Sequence, residues 1–556
     1  MCTTNARGAT SRNFSGKACS QTWAETVVVS CRRGIVLHPD DGTRPGGYSD
    51  TRTSQHTHCL DSRRALLLHP VLALRTLRLL PRRTLLPRLQ PSFGLRLCGL
   101  RPTDRLADSC QQLHFGESLR AIRLLPTLAN GLEVVLTGYI VRELGGRRWA
   151  ILLACLSVLV APVILGNGTH LAMNPLEPLF WMGTVYVLLL AMNRNQPKLL
   201  LWCGVLLGFG LLNKHSTVFF LAALVAGLAL SPERRVFTSK WFWIAAAIAF
   251  AIALPNVIWQ IVHHFPTLED LSNVKRTHKN VELPPWPFFY QQIMMLNPFN
   301  AIVWLGGLGF LLFRRDAKRF RFLGFTYLIF LAVMMYLKGK DYYLAPIYPM
   351  LFAAGGVLFE TLAELRTRLR WVRYALPVWI LAGGIISAPL VLPILPANRI
   401  QPYMQALGIG MSRTETTMES TIPQHFADQF GWEEMVSTVA SVYHSLPADE
   451  RAKTAILGGD YGEAGAIDFF GPRYGLPKSI SAHQNYYYWG PHDYTGESII
   501  LLQWTREDAQ KMCTTVDVGP HIEFPYTMGW EHYDVLICHN TKRPLPQLWP
   551  RLKVWN

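Results

Sequence analysis

Between Leu124 and Leu395 the chain carries about ten apolar segments in succession, and this constrains it more than any other feature. The segment WFWIAAAIAFAIALPNVIWQIV, Trp241–Val262, approaches the roughly 20 apolar residues that a helix needs to cross a bilayer. Inside lipid every backbone N–H and C=O must find its partner within the protein, which leaves helices as the economical solution for runs of this kind. The candidate spans are Leu124–Val141, Trp149–Leu165, Leu176–Met192, Leu199–Leu212, Thr217–Leu230, Trp241–Val262, Ala301–Phe313, Leu323–Leu337, Leu344–Glu360 and Tyr374–Leu395. The expected class is mainly α, a polytopic transmembrane helix bundle, with polar sequence at both ends.

Charge orients the bundle. RELGGRR, NRNQPK, SPERRVFTSK, FRRDAKRFR and ELRTRLRWVR are rich in Arg and Lys, and each is separated from the next by two spans. Placing them all in the cytoplasm satisfies the positive-inside rule with one orientation. The intervening loops and everything after Pro396 then face outward. These loops and an Arg-rich N-terminal stretch account for most of the net charge of +17. No nucleic-acid-binding module accompanies the charge, so nucleic acid is not an expected partner.

The outward connections hold the chemistry. Lys338 and Lys340 stand with Tyr342 and Tyr343 at a span boundary, on the side where positive charge is otherwise sparse. Lys214 and His215 interrupt the turn between two apolar runs, and Glu177 lies inside an apolar stretch, where an ionisable group is costly. Lysine supplies a compact positive charge for a phosphate at the membrane surface, and would stabilise that phosphate as it departs. Tyrosines beside it can donate hydrogen bonds or stack on a sugar. Snorkelling of the lysines and hydration of Glu177 at a helix end are the bland alternatives. The connection from His263 to Pro287 is long enough to form a lid or binding element.

At these residues the chain resembles a family. KGKDYYLAPIYP (Lys338–Pro349) is similar to the lysine-tyrosine-proline motif of the dolichyl-phosphate-mannose-protein mannosyltransferase and aminoarabinose transferase superfamily. FGESLRAIRLLPTLANGL (Phe115–Leu132), MNPLEPLFW (Met173–Trp181) and GLLNKHSTVFF (Gly210–Phe220) resemble successive signatures of its bacterial branch. GGDYGEAGAIDFFGPRYGLPKSISAHQNYYYWGP, from Gly458, extends the likeness into the C-terminal region. The resemblance implies a GT-C bundle at residues 115–395 and a small extracytoplasmic α/β domain at 396–556. It implies inverting transfer of a sugar from a polyprenyl-phosphate donor to an envelope acceptor (lipid, glycan or protein), in a bacterial inner membrane. Lys338, Lys340, Tyr342 and Tyr343 inherit donor-phosphate contact; Lys214 and Glu177 are further candidates. No cofactor or metal ligand set is indicated. A flippase of lipid-linked sugars and an inactive membrane scaffold are the alternatives.

The family's first span and acidic catalytic loop are missing before Phe115. Residues 1–114 read instead as an atypical Arg/Leu/Pro-rich stretch, without helical period or a long apolar run. Codons for Arg78–Leu89, read one base out of frame, can spell GYFRDELYYLA, the acidic segment that the family would offer. A frameshift is therefore expected, with a basic disordered tail as the alternative. Asp104 and Asp108 have no motif behind them, and no catalytic residue is assigned.

After Arg399 the pattern alternates. ADQFGWEEMVSTVASVYHSL reads as an amphipathic helix, and TAILGGDYG, SIILLQW and YDVLICHN read as strands. Tyr486, Tyr487, Tyr488 and Trp489, beside His483 and His492, suit either sugar stacking or packing against the membrane domain. Cys513 and Cys538 are able to pair in an oxidising compartment, with two buried thiols equally open; Cys155 and Cys203 read as packing residues.

Overall fold

A computed structural model describes residues 119–411, 415–417 and 419–555. The Arg/Leu/Pro-rich stretch, its out-of-frame reading, Asp104 and Asp108 lie outside the described residues.

Among the described residues thirteen helices build the bundle region: α1 Leu119–Glu143, α2 Arg148–Leu159, α3 Pro162–Asn167, α4 Glu177–Asn193, α5 Leu200–Asn213, α6 Thr217–Ala229, α7 Lys240–Val262, α8 Pro266–Arg276, α9 Pro285–Met295, α10 Ala301–Phe313, α11 Arg321–Tyr336, α12 Tyr348–Leu365 and α13 Val372–Ser387. The protein is a multi-pass membrane protein. Among the described residues five continuous helices are long and apolar enough to cross a membrane, and two bent pairs bring the number to as many as seven. This is fewer than the ten apolar segments suggest, and the breaks have local causes. Pro162 opens α3 and splits the predicted Trp149–Leu165 span. The predicted Ala301–Phe313 span is one limb of a pair bent by 96°, with α9 as the other limb. At that bend Asn297 has φ 72° and its side chain caps the short turn led by Pro298. Large apolar side chains such as Trp243, Ile258 and Trp379 are exposed on the bundle surface.

Helices approach closely where glycine removes the Cβ. A side chain on Gly307 of α10 would strike Leu351 O of α12, and one on Gly355 of α12 would strike Val303 O of α10. Such contacts are how bundles cohere in lipid, where apolar burial alone drives no association. Polar groups are few and mutually satisfied along one line through α9, α11 and α12. Tyr348 OH donates to Gln292 Oε1 at 3.0 Å and lies 3.2 Å from Tyr327 OH. Gln292 Nε2 donates to Asp341 O at 3.1 Å, fixing the 3-10 segment Asp341–Ile347 that carries Tyr342 and Tyr343.

The C-terminal part folds around a five-stranded sheet of order β2-β1-β3-β5-β4, with β1 Thr454–Gly458, β2 Ile480–Ser481, β3 Ser498–Leu501, β4 Cys513–Ile522 and β5 Tyr533–Thr541. β2, β1 and β3 run parallel, whereas β5 is antiparallel to β3 and β4. Among its helices are α14 Trp432–Ser445, α15 Tyr461–Phe470, α16 Arg506–Met512 and α17 Leu545–Leu552. The expected helix and three strands are α14, β1, β3 and β5. Cys513 and Cys538 form a disulfide between β4 and β5, Cα atoms 5.6 Å apart, while Cys155 and Cys203 are free.

The C-terminal domain docks on one end of the bundle through aromatic rings. Tyr488 packs edge-on against Trp259 and His263 at the end of α7, and against Trp555. Asn273 Nδ2 of α8 donates to Trp555 O at 2.6 Å, and Lys553 Nζ reaches Glu269 Oε2 at 2.6 Å. The Tyr487–Tyr488 part of the aromatic run thus serves packing. The long connection from His263 is clamped by the C-terminal domain rather than hanging free.

Candidate functional site

The end of the bundle beneath the C-terminal domain gathers four of the six expected site residues around one buried cation. α5 ends at Asn213 and α6 begins at Thr217, so Lys214, His215 and Ser216 form the turn between them. The turn is held rigidly. Thr217 Oγ1 donates to Gly210 O at 3.0 Å, Trp181 Nε1 donates to Thr217 Oγ1 at 3.2 Å, and Asn213 Nδ2 donates to Met173 O at 2.9 Å. Those contacts press the turn onto the start of α4, where Glu177 is the first helical residue and complements the helix dipole.

Lys214 Nζ lies 2.9 Å from Glu177 Oε2 and 3.0 Å from Asn174 Oδ1. Both side chains of the ion pair are sealed, 7% and 2% exposed. Ser216 Oγ donates to Glu177 Oε1. The ring of Tyr343 covers the ammonium at 4.6 Å and that of Tyr342 at 5.7 Å, so cation–π attraction adds to the ion pair. Glu177 is therefore a buried partner of Lys214, and it is not a carboxylate hydrated at the helix end. The pairing could not be read from the sequence, because the two residues are 37 positions apart.

Lys338 and Lys340 point elsewhere. Lys338 has φ 52° and turns outward to pair with Glu282, whose carboxyl that hydrogen bond holds below its ordinary range. Lys340 Nζ sits 3.6 Å from Glu415 Oε1, half-buried against the segment that enters the C-terminal domain. Glu415 also bridges Asn280, and Thr416 N donates to Lys279 O at 2.9 Å. The lysine-tyrosine motif thus divides: the tyrosines face Lys214, and the lysines each meet a carboxylate from the long connection or the segment entering the C-terminal domain.

Sequence reasoning missed a groove. α5, α6 and α7 enclose an apolar channel of about 340 Å³, walled along its length by Leu207, Leu221, Leu224, Ala249 and Phe250. One end reaches Leu228, Val236 and Phe242; the other ends at His215 and Asn256, whose side chains meet at 3.1 Å. An apolar channel with a polar mouth next to Lys214 has the form of a site for a long apolar chain bearing a polar head. The only signal in the sequence was the small-residue content of α7, with Ala245, Ala249 and Ala253 facing inward. Among the described residues no group of three or more His, Cys, Asp or Glu side chains could hold a metal ion.

Residues 112–259 match the family model described as dolichyl-phosphate-mannose-protein mannosyltransferase. Over that stretch the match bears out the resemblance carried by the FGES, MNPLEP and LLNKHS motifs. No match to a curated protein was found. Among solved structures, ArnT from Cupriavidus metallidurans bound to undecaprenyl phosphate is similar at 12% identity with a TM-score of 0.50, covering 78% of this chain and 87% of that one. The apo state of the same protein gives 13% identity, a TM-score of 0.48 and coverage of 79% and 88%. The oligosaccharyltransferase AglB from Archaeoglobus fulgidus, in complex with an inhibitory peptide and a dolichol-phosphate, gives 11% identity, a TM-score of 0.42 and coverage of 72% and 60%. The fold is accordingly the GT-C type, a multispanning bundle with a small C-terminal sheet domain.

Proposed function

We propose that this chain is a membrane glycosyltransferase that holds a polyprenyl-phosphate-linked sugar with its tail in the α5–α6–α7 groove. The observation that carries the reading is the apolar groove ending at a polar mouth formed by His215 and Asn256, with Lys214 the residue next to His215 in the same turn. An isoprenoid tail is already solvated by lipid, so the groove holds it through van der Waals packing and shape rather than through removal from water. The phosphate then sits at the membrane boundary, within reach of Lys214, Tyr342 and Tyr343. Lys214 is neutralised by Glu177 in the resting state, so an arriving phosphate competes with that carboxylate for the ammonium. Lys340, once freed from Glu415, supplies a second charge to the departing phosphate.

The acceptor approaches from the C-terminal domain and is an envelope lipid, glycan or protein, with inversion at the transferred carbon. The basic loops support a topology with the opposite end of the bundle in the cytoplasm, in a bacterial inner membrane. The Cys513–Cys538 disulfide supports an oxidising, extracytoplasmic side for the C-terminal domain.

The test is native mass spectrometry of the full chain with undecaprenyl phosphate, together with release of that phosphate from a sugar-loaded donor. Leu221→Trp should fill the groove and abolish lipid retention while the bundle stays folded. Retention equal to that of the unaltered chain would overturn the groove assignment. Movement of intact donor across vesicles without release would favour a flippase.

A further inference from the structure

The exposed apolar surface of the bundle does not stop where α7 stops. α7 has 23 residues and rises about 34 Å, close to the thickness of a bilayer's hydrocarbon core, so Val262 stands at one edge of that core. Ile258, Ile261 and Val262 are exposed along its last turns. His264 and Phe265 then both take left-handed backbone, φ 60° and 58°, a conformation that bulky residues avoid, and Pro266 opens α8 after the break. The apolar row nevertheless continues across it. Phe265 is 45%, Leu268 61% and Leu271 59% exposed.

α8 has two unlike faces. Glu269 and Asn273, four residues apart, are the ones held by Lys553 and Trp555. Leu268, Leu271 and Lys275 recur at intervals of three and four, which gathers them on the face turned away from that clamp. The chain then reads KRTHK, Lys275–Lys279. Among the described residues Lys275, Arg276 and Lys279 enter no ion pair. Glu282, whose carboxyl feels Lys275 and His278, is already bonded to Lys338.

Two ordinary explanations fall short. Cations in the last turn of a helix complement its dipole, which accounts for Lys275 and Arg276 but not for the two leucines. Basic residues are otherwise sparse in the loops at this end of the bundle, so the positive-inside rule does not supply KRTHK either. An apolar row that ends in basic side chains, at the edge of a hydrocarbon core, fits a phospholipid leaflet. Acyl chains take the leucines, and the long stems of Lys275 and Arg276 carry their charges up to the phosphates. A soluble acidic protein would match the charge but not the continuity with the exposed row of α7.

We propose that α8 is an interfacial helix seated in the leaflet on the side of the C-terminal domain. Phe265, Leu268 and Leu271 lie among acyl chains, and Lys275 and Arg276 lie against the phosphates of anionic phospholipids. The assignment stands independently of the transferase reading. Through Lys553 and Trp555 the same seat ties the C-terminal domain to the membrane surface.

The experiment uses the full chain in nanodiscs of equimolar phosphatidylglycerol and phosphatidylcholine with matched acyl chains, carrying a benzophenone amino acid in place of Leu271. After illumination, peptide mass spectrometry should find phospholipid adducts at that position. None should form when the benzophenone replaces Ser441, exposed on α14 of the C-terminal domain. Phosphatidylglycerol adducts should outnumber phosphatidylcholine adducts several-fold, each basic residue near an anionic surface being worth roughly fivefold. Lys275→Gln together with Arg276→Gln should bring the two to near parity while adducts still form. Should that variant fail to fold, raised salt should erode the same preference in the chain with its basic residues intact. Absence of lipid adducts at position 271, adducts to another protein in their place, or equal adducts from both lipids with Lys275 and Arg276 intact would overturn the proposal.

Discussion

Replacing Lys214 with methionine tests whether the ion pair at the head of the bundle is the desolvated one that the geometry describes. The side chains of Lys214 and Glu177 are 7% and 2% exposed and 2.9 Å apart, so solvent screening is slight. Methionine keeps the length and apolar stem but strands Glu177, which retains Ser216 as a donor. Removing one partner of a buried pair costs about 3–5 kcal/mol, because the other charge stays buried without compensation. The ring contacts of Tyr343 and Tyr342 add about 0.5–2 kcal/mol to what is lost. Replacing both residues, Lys214→Met with Glu177→Leu, removes the stranded charge. It leaves the Asn174 and Ser216 hydrogen bonds unanswered, about 1 kcal/mol each. The double variant should therefore be more stable than either single one. Equilibrium unfolding in detergent, followed by circular dichroism, measures all four corners of the cycle. A Lys214→Met cost below about 1 kcal/mol, or a double variant as unstable as the sum of the singles, would refute the reasoning.

Further outcomes follow from other parts of the molecule. Glu415→Gln should free Lys340 and tighten undecaprenyl phosphate binding several-fold at low salt, an effect that fades as salt is raised in the same native mass-spectrometry titration. Cys513→Ser should destabilise the C-terminal domain by about 2–4 kcal/mol, and maleimide should then label Cys538 as that domain unfolds. For Glu463, the folded carboxyl sits at about 8 against an ordinary 4.5, so the folded state holds its proton longer. Its contribution to stability is complete below pH 4.5 and is lost as pH rises toward 8; Glu463→Gln should flatten that decline in a pH series of unfolding curves. Gly307→Val should separate α10 from α12 and lower the melting midpoint, whereas Gly309→Val, with nothing near its missing Cβ, should not.

Much of this architecture was legible because lipid imposes a single rule on every segment it surrounds. The apolar runs became helices, and the breaks came from Pro162 and the Asn297-Pro298 corner, whose effect on direction no hydropathy count registers. In the C-terminal domain β1 and β3 were readable because every residue in them is buried. β4 escaped notice. It is an edge strand exposed along most of its length, with a register shift between Val518 and His521 around Gly519 and Pro520. At the site, Lys338, Lys340, Tyr342 and Tyr343 were read as one cluster because they adjoin in sequence. The left-handed backbone at Lys338 rotates it away from the tyrosines, and Lys340 finds a carboxylate from the far side of the chain. Lys214, a weaker expectation than the motif residues, is the one that Glu177, Tyr342 and Tyr343 surround.

The clamp on α8 also sets an order of events during synthesis. Asn273 is held by Trp555 and Glu269 by Lys553, pairs separated by 282 and 284 positions. A ribosome has therefore inserted most of the bundle well before the residues that fasten this connection emerge. Until then α8 remains unlatched above the nascent helices, open to proteases and to premature encounters with lipid. Fastening of α8 is thereby postponed until the segment around Trp555 has emerged. Anything fused to, or trimmed from, the segment around Trp555 would be felt at the membrane surface far upstream.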